Sequence, residues 1–331
     1  MGHDTGSGDT PRNSVSFAAR YGTGGMAESA ARIVEDIHSR PLPAAHVITF
    51  ANEKGGVGKS TLAFNCAVAL ANAGAEVLAI DLDNRQRTLS TALENRQATA
   101  TCLNVPIACP RYSVVEKQSG AALSQEIVRL GNTARFVIID APGQDGVAAR
   151  RAVALADTLV TPVNASFVDL QQLARFNPVT LDLTTAGPFA NLVHHLQQEK
   201  VARGMAPSDW VLLKNRVRAS EHRQQKRVDD ALVKLNDTFG SRTASGLTER
   251  VAYRDLFVFG LIHADLKNIP QLKGKASNTP RDIDRLLAEL RLPPMGLCAV
   301  STATAQARVL ARTRERYLQS LEAHLAGKRR A

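Results

Sequence analysis

An α/β fold, a mostly parallel sheet with helices on both faces, is what the sequence predicts. Three observations carry that expectation. Short unbroken runs of β-branched and aromatic residues recur along the chain, segments with helical spacing separate them, and the first run passes through a glycine-rich turn directly into a helix. Strands covered on both faces read as continuous apolar runs because neither face meets water. A sheet of this kind receives ligands at the C-terminal ends of its strands.

The elements follow in chain order. Residues 1–43 are rich in Gly, Ser, Thr and Asp and close on Pro41-Leu42-Pro43. They are expected to form a mostly disordered arm, with room for a short helix near Ala27 to Ile37. His46-Val47-Ile48-Thr49-Phe50 predicts the first strand and Leu62 to Ala73 the helix after the glycine turn. Further strands are expected at Glu76 to Leu82, Phe136 to Asp140, Thr158 to Pro162 and Trp210 to Lys214. Helices are expected over Gln86 to Asn95, Ala121 to Leu130, Val147 to Leu155 and Asp169 to Thr184, then over Ser220 to Leu235, Asp282 to Arg291 and Thr304 to Leu325. The chain thus divides into an arm (1–43), one enlarged domain (44–300) and a basic C-terminal helix and tail (301–331).

Composition narrows the class of function. The 331 residues carry a net charge of +10, most of it after about Lys200, which favours polyanionic partners. Lys and Arg on solvated helices account for the same numbers, so charge sets a preference only. The cysteines, Cys66, Cys102, Cys109 and Cys298, show neither C-x-x-C spacing nor a zinc-like His partner, which argues against a metal site or a disulfide framework. No apolar run reaches the ~18 to 20 residues of a membrane span, and the start lacks a signal-peptide pattern, so a cytoplasmic location is expected.

The stretch with most chemical content is Asn52-Glu53-Lys54-Gly55-Gly56-Val57-Gly58-Lys59-Ser60-Thr61. Glycines at such a strand-to-helix turn let successive backbone N–H groups converge on phosphate oxygens, Lys59 neutralises charge, and the Ser60 hydroxyl suits Mg²⁺. Downstream, Asp81 and Asp83 lie two residues apart at the end of the second strand, within reach of a phosphate and magnesium region. An Asp-x-Asp at a strand end also serves as a helix cap. Val137-Ile138-Ile139-Asp140-Ala141-Pro142-Gly143 ends a third strand with another acid and a glycine. Trp210 to Arg216 ends the fifth strand in Asn215, whose side-chain amide offers both a donor and an acceptor or can simply form a turn. Arg216, Arg218, Arg223, Lys226 and Arg227, with Lys234 further on, cluster on and before the 220–235 helix. Contacts of that kind to phosphates are salt-sensitive and blind to sequence; Asp229 and Asp230 fit a solvated helix equally.

The Lys54-Gly-Gly-x-Gly-Lys59-Ser60 form, in which Glu53 replaces the usual first glycine, resembles the deviant Walker A box of the ParA/MinD ATPases, a SIMIBI-type branch of P-loop NTPases. Within that family, segments 81–88 (DLDNRQRT), 161–181 (TPVNASFVDLQQLARFNPVTL) and 250–265 (RVAYRDLFVFGLIHAD) are similar to the MipZ branch. The resemblance runs from about Val47 to Asp265. It implies that Gly55, Gly56, Val57, Gly58, Lys59, Ser60 and Thr61 bind ATP or ADP, with Gly143, Asn215 and Arg216 completing the nucleotide site. Ser60, Asp81 and Asp140 attend Mg²⁺, Asp83 positions the attacking water, and Lys54 crosses to a second subunit's nucleotide. The family often has Thr where Ala141 stands, which points to slow hydrolysis. The resemblance further implies an ATP-dependent homodimer that binds DNA non-specifically over the nucleoid, is loaded by the ParB centromere-binding protein and inhibits FtsZ assembly. It would thereby couple division-site placement to chromosome segregation. A partitioning ATPase of the ParA type without action on FtsZ, and a nucleotide-holding scaffold with vestigial hydrolysis, are the alternatives. The basic terminal helix fits packing better than membrane anchoring.

Overall fold

In a computed structural model of the chain, residues 29–40, 44–164, 166–170, 172–215, 222–248, 251–275 and 282–294 are described. The arm's first residues, the segment after Asn215 and the C-terminal helix and tail lie outside them. Seven strands build a wholly parallel sheet: β1 (His46–Phe50), β2 (Val77–Asp81), β3 (Arg111–Val114), β4 (Phe136–Asp140), β5 (Thr158–Asn164), β8 (Asp209–Asn215) and β9 (Arg242–Ser245). Their spatial order is β3-β2-β4-β1-β5-β8-β9.

Alternation along each strand sends side chains to two cores. Val47, Leu78, Ile80, Val137, Ile139, Leu159 and Leu212 pack under α1 (Ala30–His38), α4 (Gly120–Gly131), α5 (Val147–Leu155), α7 (Pro188–Ala202) and α8 (His222–Phe239). The intervening residues, among them Ile48, Phe50, Ala79, Ile138, Val160 and Val211, pack on the other face under α2 (Lys59–Asn72), α3 (Thr88–Leu103) and α10 (Asp282–Glu289). α2 is buried nearly all round, which explains its lack of a polar stripe. A third apolar cluster joins the end of α3 to α9 (Val251–Val258) and the following 3₁₀ turns. Beneath it, Arg96 and Asp265 form a fully buried bidentate ion pair at 2.6 and 2.9 Å. Arg96 also donates to the carbonyls of Ala108 and Gly260, and Asp265 accepts from the Ile262 N–H, so the pair's remaining polar groups are met.

The five strands read from the sequence are present, and the two additional sheet strands are the polar edges β3 and β9. The short helix for which the arm had room is present as α1, capped by Ser29, and it is packed, burying Ile33, Val34 and Ile37 against the first core. One expectation is corrected. The helix expected over Asp169 to Thr184 is instead a short α6 (Phe167–Leu170) followed by an antiparallel hairpin, β6 (Ala174–Phe176) and β7 (Leu183–Ala186). Asn177 and Pro178 cause this. The Asn177 Oδ1 accepts from the N–H groups of Val179 and Thr180 at 2.9 and 3.2 Å, drawing them into a turn, and proline cannot supply a helical N–H. α7 was absent from the sequence reading although Pro188 at its first turn and buried Phe189, Val193 and Leu196 mark it plainly.

Candidate nucleotide site

Strand register builds the site. Phe50 of β1 and Asp81 of β2 both lie opposite Asp140 of β4, so three parallel strands end at one level. From that edge β1 opens into the glycine loop. Buried Asn52 ties the loop down: its Nδ2 donates to the Pro162 carbonyl at 2.7 Å and its Oδ1 accepts from the Lys54 N–H at 3.0 Å. The loop turns through left-handed Gly56 and Gly58, at φ 75° and 93°, and α2 starts at Lys59. The unsatisfied N–H groups at that helix start, with its dipole, favour an anion.

The Lys59 ammonium folds back and donates to the Lys54 carbonyl at 3.0 Å. Burial pushes its pKa down, against the pull of Asp140 and Asp83. Gly143 faces it closely: a Cβ there would stand 3.3 Å from Lys59 Nζ and 3.5 Å from Gly55. Lys59, Gly55 and Gly143 therefore lie together around one point of the glycine loop. Ala141, where the family often has Thr, is buried and donates its N–H to Phe50.

The acids behave differently from one another. Asp140 is 1% exposed, its Oδ1 has no hydrogen-bond partner, and burial followed by the nearby Asp81 charge pushes its carboxyl up to about 8. The Ser60 hydroxyl bonds to it and opposes that shift. Asp81 is also raised by burial, but its Oδ1 and Oδ2 accept from the N–H groups of Asp83 and Ser90, each at 3.0 Å. The Asp83 Oδ1 accepts from the N–H groups of Arg85 and Gln86, at 3.3 and 3.0 Å. Asp81 and Asp83 thus act here as turn and helix anchors, the role the sequence left open beside a catalytic one. Among the described residues no three His, Cys, Asp or Glu side chains form a metal-holding group. The Ser60 hydroxyl with the orphaned Asp140 oxygen does fit Mg²⁺, a cation that keeps waters and takes the rest of its shell from substrate phosphates.

Lys54 extends from the same loop and pairs through Nζ with Asp169 of α6, a buried carboxylate in its own chain whose Oδ2 has no hydrogen-bond partner. Asp169 belongs to the SFVD segment that marked the branch, yet its contact spans 115 residues and no local pattern announces it. Asn215 reaches the site at the end of β8, where its side-chain amide bonds to Val57 and Leu247. Of the basic cluster, Lys226 and Arg227 are exposed on α8. Arg227 donates to the Pro178 carbonyl at 2.7 Å, and Lys234 pairs with Asp182 at 3.2 Å, both on the β6-β7 turn. Arg216, Arg218 and the Arg223 side chain lie outside what is described. No helix among the described residues is long and apolar enough to cross a membrane.

Known proteins fit this frame. The chromosome partitioning protein ParA of Caulobacter vibrioides is 30% identical over 162 residues, covering 39% of this chain and 60% of that protein. ParA of Myxococcus xanthus is 28% identical over 170 residues, covering 43% of this chain and 59% of that protein. The chain therefore spans about 60% of the length of these relatives. The solved structure of apo McdA from Cyanothece superposes with a TM-score of 0.50 at 16% identity, over 74% of this chain and 99% of that one, a likeness of fold alone. The fold is that of the P-loop NTPases. A family model described as ATPase MipZ matches residues 46–294, from the first residue of β1 to the close of the described chain. By that match, this chain belongs to the MipZ family of ATPases.

Proposed function

We propose that this protein is a slow, dimerisation-activated ATPase that acts as a nucleotide switch. The observation that carries the reading is the convergence of Lys59, Gly143, Asp81 and Asp140 on the glycine loop, with Lys54 on the same loop and its side chain 30% exposed. The loop amides from Gly55 to Thr61 bind the phosphates of ATP and Lys59 neutralises them. The Ser60 hydroxyl, with Asp140 and Asp81 beside it, would hold Mg²⁺, and the ion would supply further charge neutralisation for the phosphates. Asp83 turns from its backbone partners to position the attacking water, and Ala141 contributes no hydroxyl to either task, which keeps hydrolysis slow. Lys54 reaches a second subunit's phosphates only after its pair with Asp169 opens, so dimer formation and release of that pair are one event.

The ATP dimer then holds DNA non-specifically through the basic face that includes Lys226 and Arg227, which places it on the nucleoid. By family membership we further infer loading by ParB and inhibition of FtsZ assembly, so that the dimer gradient sets the division site. The ParA likeness favours one second reading, partitioning of DNA or cargo without action on FtsZ.

Sedimentation with ATP and with ADP tests the switch. We expect ATP-dependent dimers in the wild type and in Asp83→Ala, whose phosphate release falls by about 10²-fold or more. Monomers only, for Asp83→Ala in ATP, would remove the sandwich dimer. FtsZ filaments of unchanged length at saturating protein and ATP would favour partitioning.

A further inference from the structure

Glu53 stands where the glycine loop leaves β1, between two residues that are tied down. Asn52 donates to the Pro162 carbonyl at 2.7 Å, and the Lys54 carbonyl accepts from the Lys59 ammonium at 3.0 Å. Half-buried Glu53 lines a narrow cleft together with Pro142, Gln144, Asp145 and Arg150. On one side of that cleft is the glycine loop; on the other is the segment 141–146 that carries Gly143.

One guanidinium therefore lies near two carboxylates. Arg150, close to the start of α5, donates through Nε to Asp145 Oδ1 at 2.6 Å and through Nη2 to Oδ2. This fork holds the Asp145 carboxyl below the ordinary carboxylate range. Burial and then the Asp145 charge push the Glu53 carboxyl up, against the pull of Arg150. The cation is thus committed to Asp145, and Glu53 has the smaller share of its attraction.

A phosphoryl group bound at the glycine loop would disturb this division. Lys59 is folded onto the Lys54 carbonyl, and a Cβ on Gly143 would stand 3.3 Å from Lys59 Nζ and 3.5 Å from Gly55. A methyl group there is already crowded and a phosphoryl group is larger, so one that takes Lys59 as counter-ion pushes Gly143 and the glycine loop apart. Asn52 and Val57 of the loop are buried whereas residues 144–147 are exposed, so 141–146 is the side that yields. Asp145 moves with it. A two-pronged pair between planar groups depends on their alignment, and Arg150 is held on α5.

We propose that Glu53 is the second acceptor of Arg150: the guanidinium exchanges Asp145 for Glu53 when a triphosphate displaces Gly143, and the new pair fastens the glycine loop to α5. The assignment rests on the nucleotide-binding reading of that loop. It adds a positioning residue that separates ATP from ADP through Arg150, without touching either nucleotide.

The test uses the near-isosteric Glu53→Gln and Asp145→Asn, alone, combined, and each in an Arg150→Gln background. Calorimetric titration with Mg²⁺ and ATP or ADP gives the first readout. We expect Glu53→Gln to lower the ATP-to-ADP affinity ratio by about threefold to fivefold and Asp145→Asn to raise it by a similar factor, the range of one partly exposed ion pair. Neither substitution should move the ratio in the Arg150→Gln background. Equal losses for both nucleotides in Glu53→Gln would make Glu53 a structural loop residue and overturn the proposal, as would a change of ratio that persists in Arg150→Gln. Urea unfolding without nucleotide gives the second readout. Glu53→Gln should not lower the midpoint of the wild type, but should lower that of Asp145→Asn, in which Arg150 has turned to Glu53. A midpoint that does not fall in Asp145→Asn refutes the second acceptor. A wild type that binds neither nucleotide removes the ATPase reading, and the midpoints then decide whether Glu53 accepts from Arg150.

Discussion

A carboxyl group buried at a strand end, with one oxygen lacking a partner, resists ionisation when the loss of solvent and a neighbouring carboxylate outweigh the groups that favour its charge. Asp140 is in that position, and its pKa of about 8 lies above the ordinary 3.8. Between those values the folded protein holds a proton that the unfolded chain has lost, so this residue's contribution to stability falls as pH rises from about 4 to about 8. Each unit of displacement corresponds to about 1.4 kcal/mol. Asp140→Asn should therefore raise the urea midpoint of the nucleotide-free protein more at about pH 8.5 than at about pH 5. Equal gains at both pH values would show that Asp140 ionises as freely folded as unfolded. The same unmet charge is what makes the spot receptive to a divalent cation. At this scale the sequence displayed the glycine loop, Asp81, Asp83 and Asp140, since spacing along the chain is a local property. It could not display Asp169 beside Lys54, or Val57 and Leu247 beside Asn215, since those pairs are made by folding.

Among the elements, legibility followed burial. β1, β2, β4, β5 and β8 are apolar because helices cover both faces, and each stood out in the sequence. The edge strands β3 (Arg-Tyr-Ser-Val) and β9 (Arg-Thr-Ala-Ser) have one neighbour each and carry polar residues that suit an edge. They show no apolar run to find. The 174–186 hairpin misled the reading because Leu170, Leu173 and Ala174 mimic a helical stripe until Asn177-Pro178 reverses the chain. That hairpin turn holds Arg227 and Lys234, so α8 offers its basic face with two charges already engaged by protein. Lys226 is exposed on the same helix, and Lys226→Ala should lower the slope of log affinity against log salt for duplex DNA by about 1, with sedimentation in ATP unchanged. A slope that does not move would exclude Lys226 from the phosphate contacts.

For the whole molecule, the two cores on opposite faces of the sheet and the buried Arg96–Asp265 pair unite segments far apart in the chain, and α1 is part of that union. Ile33 and Val34 are fully buried, and Asp36 pairs with buried Arg151 of α5. Ile33→Ala should therefore lower unfolding free energy by about 2–5 kcal/mol, measured by urea unfolding. A disordered arm would leave stability unchanged, and that result would detach α1 from the domain.

By itself, the sequence determined the fold class, the glycine-rich strand-to-helix turn and the acids at the neighbouring strand ends, because these depend on periodicities of two and 3.6 residues and on glycine spacing, all of which are written locally. Tertiary structure alone decided that Lys54 is held by Asp169, that Asn215 faces the glycine loop, that α1 joins the core and that residues 174–186 form a hairpin. Each of those outcomes is a competition between partners distant in sequence, and burial settles it only when the chain has closed around them.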